Sequence, residues 1–129
     1  MTEMFPTKAN ATAGLGGISG NARLLSAAAS VNATIVKASQ GRVYKIRGVN
    51  AAAAVRYLKL YDKATAPAET DTPTHTFALS ASLSFDIDFG AIGIPFTNGI
   101  GFRLTNLGPD ADTTALTAAD IIGLNVMYL

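Results

Sequence analysis

The chain has 129 residues, of which 49 % are apolar and 15 % charged, and its formal net charge is +1. This composition excludes a wholly disordered chain, which would be rich in charge and poor in apolar residues, and it offers no basic stripe for nucleic acid. The absence of cysteine excludes a disulfide framework and a cysteine-ligated metal site.

Residues 1–23 are predicted to form an extended N-terminal arm. Residues 9–21 consist mainly of Ala, Gly, Asn, Ser and Thr, and their four glycines make an isolated ordered structure entropically costly. Such an arm either stays mobile or becomes ordered along a neighbouring subunit. The apolar residues that would anchor it on a partner are Met4, Phe5, Leu15 and Ile18.

Residues 24–129 are predicted to form a single all-β domain, an antiparallel β-sandwich with jelly-roll topology as the leading version. About eight strands are expected, in residues 24–29, 32–38, 42–49, 55–62, 74–79, 82–89, 96–106 and 121–129. Their connections are mostly short, whereas a parallel pair needs a crossover of a dozen or more residues. The pattern therefore favours antiparallel pairing.

Alternation within these segments predicts which side chains share a face. The clearest case is 82–89, where Phe85 and Ile87 alternate with Asp86 and Asp88. In 42–49, Tyr44 is expected on the same face as Ile46 and opposite Val43. In the last strand, Ile122, Leu124, Val126 and Tyr128 are expected on one face.

Two segments allow a helical interpretation. Residues 51–62 begin with four alanines, the best helix formers, and place Val55 and Leu58 at helical spacing. The strand is preferred because residues 48–50 carry turn chemistry and because Tyr57, Leu58, Leu60 and Tyr61 would make the apolar face too broad for a surface helix. Residues 117–120 could form one helical turn before the last strand.

The side chains that could carry catalysis or bind a metal do not form a recognised constellation. His75 is the only histidine, and it is expected at the surface because it stands among threonines at the start of a predicted strand. No Gly-x-Ser-x-Gly elbow presents a serine as a nucleophile. Asp86 and Asp88 share a strand face, which is typical of a solvated surface rather than of carboxylates facing across a cleft. The loop beginning at Asp110 lacks the remaining calcium ligands. We therefore expect no enzyme activity and no cofactor or metal.

Tyr44, Tyr57 and Tyr61 lie on neighbouring predicted strands. Tyrosines on an exposed sheet face can stack against sugar rings, and core packing or a subunit interface explains them equally well. Both interpretations stay open at this point.

Three segments resemble small virion proteins of tailed bacteriophages: 34–46 (TIVKASQGRVYKI), 56–67 (RYLKLYDKATAP) and 96–105 (FTNGIGFRLT). The resemblance extends over residues 30–129. It implies a β-sandwich that coats or cements a capsid, or that forms part of a tail or fibre, without catalytic residues.

The leading hypothesis is a capsid decoration or cement protein, located in the virion and assembled in the bacterial cytoplasm. It would form a homo-oligomer, with a trimer favoured, and bind the major capsid protein or another virion protein through its arm. A charged fraction below the usual quarter agrees with a surface partly covered in an assembly. No apolar run is long enough to span a membrane, so no membrane partner is expected. The alternative is a tail-fibre or spike module that binds a receptor or carbohydrate.

Overall fold

The computed structural model describes residues 17–129, and this part of the chain consists of strands, turns and loops without a helix. Its nine strands, in chain order, are β1 (Gly20–Ser26), β2 (Thr34–Lys37), β3 (Gly41–Asn50), β4 (Arg56–Tyr61), β5 (His75–Leu79), β6 (Leu83–Asp88), β7 (Ile94–Phe96), β8 (Ile100–Thr105) and β9 (Ile121–Tyr128).

The strands form two sheets. The larger sheet has the order β1-β9-β3-β6, with the short β7 also paired to β3, and the smaller sheet has the order β2-β8-β4-β5. Every pairing is antiparallel. The prediction of an all-β antiparallel sandwich is confirmed.

The core lies between the two sheets, where strands of both contribute alternate side chains. The fully buried apolar residues include Val43, Ile46, Leu58, Leu60, Leu79, Phe96, Ile100, Leu104, Ile121, Leu124 and Val126. Each such side chain contributes about 1.5–3 kcal/mol by leaving water. In β6, Phe85 and Ile87 pack against this core while Asp86 and Asp88 are exposed, as the alternation predicts.

Strand β1 begins at Gly20, four residues before the start predicted for the domain. Gly20 to Arg23 pair with β9, and the register runs from Gly20 opposite Tyr128 to Ser26 opposite Ile122. The final residues assigned to the arm therefore belong to an edge strand of the larger sheet. Residues 1–16 of the predicted arm lie outside the described part of the chain.

Two irregularities in the pairing of β3 with β9 change the predicted facing of several side chains. At Tyr44, β3 has one extra residue, so Val43 and Ile46 both point into the core and Tyr44 lies outside the core cluster. At Gly123, β9 has the extra residue, and its φ of 60° is readily adopted by glycine. The predictions that Tyr44 lies on the same face as Ile46, and that Ile122 lies on the same face as Leu124, are therefore wrong.

The two segments with a helical alternative are not helices. Residues 56–61 form β4, which confirms the preferred strand, with Leu58 and Leu60 pointing into the core. The segment before β9 is one hydrogen-bonded turn, in which the Asp120 backbone N–H donates to the Thr117 carbonyl (3.1 Å). Among residues 17–129, no helix long and apolar enough to cross a membrane is found.

Candidate functional site

Of the four apolar residues proposed to anchor the arm, the described part of the chain contains Ile18. Its side chain is 54 % exposed and lies two residues before β1. The backbone on either side is attached to the larger sheet. The Gly17 N–H donates to the Tyr44 hydroxyl (3.1 Å) and the Ser19 N–H to the Tyr128 carbonyl (2.8 Å). Ile18 is thus an exposed apolar side chain on a tethered backbone, while Met4, Phe5 and Leu15 lie outside the described residues.

The larger sheet has an outer face that points away from the core, and we call it the outer face below. It is formed by Asn21, Arg23 and Leu25 on β1, Ile122, Asn125 and Met127 on β9, Lys45, Arg47 and Val49 on β3, and Ser84, Asp86 and Asp88 on β6. These residues are exposed or half-buried, so this is the solvated side of the sheet.

Polar groups cover most of the outer face. Lys45 Nζ lies 3.5 Å from Asp86 Oδ1 and 4.0 Å from Asp88 Oδ2, and Arg47 Nε lies 3.6 Å from Asp86 Oδ2. Asn21 donates a side-chain hydrogen bond to Asn125 (2.9 Å) across the β1–β9 pair. Asp86 and Asp88 are therefore ion-paired with basic residues on an open face, which is not the geometry of a catalytic carboxylate pair.

One end of the outer face is apolar. Leu25 is 64 % exposed, Ile122 40 % and Val49 41 %. They lie on β1, β9 and β3, which are neighbouring strands in the larger sheet. Val49 is directly opposite Ile122, and Leu25 lies between the residues of β1 that oppose Leu124 and Ile122. Exposed apolar side chains that cluster in this way are typical of contact surfaces.

The other chemical candidates have structural roles. His75 is half-buried, its ring is stacked on Phe77 at a centroid distance of 6.3 Å, and its Nδ1 lies 2.9 Å from Thr74 Oγ1. The Asp112 carboxylate accepts hydrogen bonds from the Leu107 N–H and from the N–H and hydroxyl of Thr114, so it organises its own loop. Within residues 17–129, no group of three or more potential metal ligands is found.

The tyrosines do not form an exposed platform for sugar rings. Tyr44 and Tyr61 are buried, and Tyr57 is half-buried with its ring against Gly108. The exposure of Tyr44 and Tyr61 that a stacking site needs is therefore absent. Of the three tyrosines on which the carbohydrate-binding alternative was based, Tyr57 alone keeps part of its surface exposed.

A buried polar layer on the far side of the smaller sheet was not foreseen. Lys59 and Tyr61 on β4 and Arg103 on β8 point away from the core but are fully buried, because the loops after these strands cover them. Lys59 Nζ donates to the Pro109 carbonyl (2.6 Å), and Arg103 Nη1 donates to the Ala68 carbonyl (3.4 Å). These side chains attach loops 62–74 and 106–120 to the sheet.

Burial shifts the ionisation of this layer. Desolvation lowers the pKa of Lys59, partly opposed by the nearby Asp112 carboxylate, and desolvation raises the pKa of Tyr61. Within the described residues, the Tyr61 hydroxyl and Arg103 Nε have no hydrogen-bond partner and almost no solvent-accessible surface. Tyr61 also lines an open cleft together with Lys63 and Thr72.

A second set of contacts fixes the loop after β4. The Asp62 carboxylate accepts backbone N–H groups of Thr97 (3.1 Å), Asn98 (2.7 Å) and Gly99 (3.3 Å). Desolvation by itself would raise the pKa of Asp62, but these hydrogen bonds together outweigh it and the pKa is lowered. The carboxylate is thus stabilised in its charged form and joins the end of β4 to the turn before β8.

No protein-family model, no curated protein and no solved structure matches this chain.

Proposed function

We propose that this chain is a structural virion protein of a tailed bacteriophage that decorates or cements the capsid as a homo-oligomer without catalysing a reaction. The observation that carries the proposal is the strand order, β1-β9-β3-β6 in one sheet and β2-β8-β4-β5 in the other. We interpret this order as a jelly roll, a double-sheet architecture of eight strands that occurs in viral capsid domains and also in lectins and cupins. The resemblance of residues 30–129 to phage virion proteins supports the same function.

The arm would make the contact with the capsid or with a neighbouring subunit. It leads into β1, an edge strand of the larger sheet, and Ile18 is exposed immediately before that strand. Docking would transfer the exposed Ile18 from water into an apolar groove of the major capsid protein or another virion protein, and Met4, Phe5 and Leu15 are the further anchors that the sequence predicts. Many weak contacts on a repeating lattice would produce strong collective binding.

The test measures binding of the purified full-length chain to capsids that lack it, produced from the phage genome with this gene removed. We expect saturable binding at regular lattice positions in electron micrographs. The variant Ile18→Asp should lower the affinity about tenfold, the loss expected when one large apolar side chain is no longer buried. Ile92→Asp is the matched control, because Ile92 is an exposed isoleucine in the turn before β7.

Two results would count against the proposal in different ways. Particles from the complete phage that lack the chain by mass spectrometry would refute a virion role. Wild-type binding by Ile18→Asp would remove Ile18 from the contact while leaving the virion role in place. Binding to a glycan array with no capsid binding would favour the receptor- or carbohydrate-binding alternative.

A further inference from the structure

The outer face of the larger sheet carries its side chains in cross-strand rows that are fixed by the register. One row contains Arg23, Asn125, Arg47 and Asp86, on β1, β9, β3 and β6 in that order. The next row contains Asn21, Met127, Lys45 and Asp88, and the row at the apolar end contains Ser26, Ile122, Val49 and Ser84, with Leu25 preceding Ser26 on β1. Each row crosses the whole sheet.

These rows are complementary to themselves under one rotation. A two-fold axis parallel to the strands and midway between β9 and β3 exchanges β9 with β3 and β1 with β6. It places Arg23 of one copy opposite Asp86 of the second copy, and Ile122 opposite Val49. The oppositely charged ends of the first row then face each other, Asn21 faces Asp88 in the second row, and Ile122 and Val49 cover each other at the apolar end.

We propose that the outer face is an isologous, face-to-face interface between two copies of this chain. In a two-fold contact each favourable pair occurs twice, so Ile122–Val49 and Arg23–Asp86 each contribute two contacts. Two sheets packed face to face lie about 10 Å apart with nearly aligned strands, which brings side chains of facing rows into contact. The proposal is independent of a virion function.

Arg23 also disfavours edge-to-edge pairing of β1 with the β1 strand of a second copy. β1 is an edge strand of seven residues, and Arg23 is its central residue. Antiparallel pairing of the whole strand with its own copy would set Arg23 beside Arg23. Like charges in directly opposed positions are destabilising, and a charged residue on an edge strand is a common protection against such pairing.

The size of the face predicts a weak dimer. Four strands spaced by about 4.8 Å, with a length of about six residues, give a face of roughly 19 by 20 Å. This corresponds to roughly 380 Å² of sheet per copy, or about 760 Å² for both copies, which is below the roughly 1,200–2,000 Å² of stable specific interfaces, so we expect a weak, transient dimer with a dissociation constant in the high micromolar range. A two-fold dimer competes with the trimer expected under the leading hypothesis, and the two differ in mass.

Sedimentation equilibrium of the full-length chain from about 1 to 300 μM tests the proposal. We expect a reversible change from the 13.3 kDa chain to twice that mass. Ile122→Asp should raise the dissociation constant about a hundredfold or more, because the charge is buried twice. Ile35→Asp is the matched control, since Ile35 is a similarly exposed strand isoleucine (37 %) on the smaller sheet, and it should change the constant less than twofold.

Disulfide cross-linking tests the geometry, because the chain has no cysteine of its own. Arg23→Cys and Asp86→Cys should form a mixed disulfide when the two variants are oxidised together. Neither variant should cross-link with itself, because the rotation separates identical residues on the outer strands by three strand spacings across the sheet and by the distance between the sheets, roughly 17 Å in all. Thermal unfolding of each variant verifies that it is folded.

Several outcomes would overturn the proposal. A wild-type chain that remains monomeric at about 300 μM, or whose mass corresponds to a trimer, would refute the two-fold interface. Dimerisation unchanged by Ile122→Asp would assign the dimer to another surface. Cross-linking of Arg23→Cys only with itself would indicate edge pairing instead.

Discussion

The ion pair between Arg56 and Asp120 should contribute more to stability than the other described ion pairs, because its two side chains are the least exposed. It joins the start of β4 in the smaller sheet to the residue before β9 in the larger sheet. Arg56 Nε lies 2.8 Å from Asp120 Oδ2, and the two side chains are 16 % and 11 % exposed. Asp120 Oδ2 also accepts the Thr117 N–H (3.0 Å), so one carboxylate fixes the turn and links the sheets.

A double-mutant cycle measures the contribution. A hydrogen bond between charged, mostly buried groups contributes about 1.5–3 kcal/mol, and a neutral one about 1 kcal/mol. Asp120→Ala removes both interactions, so we expect a loss of about 3 kcal/mol, and Arg56→Ala about 2 kcal/mol. The coupling free energy between them should be about 1.5–2 kcal/mol.

The pair Arg47–Asp86 is the matched control. Its closest atoms are 3.6 Å apart and its side chains are 55 % and 48 % exposed. Exposed pairs contribute about 0.2–1 kcal/mol, so the coupling in the same cycle should stay below about 0.5 kcal/mol. The comparison separates the effect of burial from the effect of opposite charge.

Urea unfolding followed by circular dichroism is a suitable assay. With a slope of about 1.5 kcal/mol per M, Asp120→Ala should move the midpoint down by about 2 M. Measurements below the concentration at which the chain associates avoid a contribution from assembly. Equal coupling in the two cycles, or coupling below about 0.5 kcal/mol for Arg56 and Asp120, would refute the reasoning.

Three further predictions concern the loops and the core. Asp62→Asn should reduce the loss of stability on acidification. Hydrogen bonding lowers the pKa of Asp62 below 3.8. The stability that the Asp62 carboxylate contributes is therefore complete above that pH and is lost as the pH falls through the lowered pKa. Gly48→Ala should cost about 1–3 kcal/mol in urea unfolding, because the added Cβ would lie 2.6 Å from an aromatic ring atom of β6. Lys59→Met should speed hydrogen exchange in residues 106–116 about tenfold, because the ammonium that binds this loop is removed while the stem volume is kept.

Each of these predictions has a direct counter-result. Asp110→Asn is the control for Asp62→Asn, because it removes the same charge from an exposed loop position. If acid destabilised the Asp110→Asn protein as little as the Asp62→Asn protein, the backbone hydrogen bonds to Asp62 would not be the cause of the effect. A Gly48→Ala protein as stable as the wild type would show that the ring moves without cost. Unchanged exchange in Lys59→Met would mean that other contacts hold the loop.

Local sequence patterns were sufficient to predict a strand and the direction of its side chains wherever the strand has one regular buried face. In β6 the alternation of Phe85 and Ile87 with Asp86 and Asp88 predicted both the strand and its facing, because successive side chains of a strand point to opposite sides. In β4 the breadth of the apolar face of residues 57–61 was enough to prefer a strand over a helix, whereas residues 48–50, which were interpreted as a turn, belong to β3. These inferences depend on neighbours in the chain and need no knowledge of the partner strands.

The pattern failed where pairing between strands decided the facing. Ile122 was expected to share a face with Leu124, but the extra residue at Gly123 turns Ile122 outward to lie beside Val49. Ile122 belongs to the exposed apolar end of the outer face because of this irregularity. A glycine in a strand is consistent with a bulge, but its presence does not determine which partner residue will face it.

Composition and periodicity by themselves determined that this chain folds as an antiparallel β-sandwich, because hydrophobic alternation and short connections act over a few neighbouring residues. Only the tertiary structure decided that Tyr61, Lys59 and Arg103 are buried beneath loops and that the outer face has its particular rows. Those features depend on loop placement and strand register, which are set by the packing of residues far apart in the chain. The surface proposed for self-association is therefore a product of register, and single-strand patterns do not contain it.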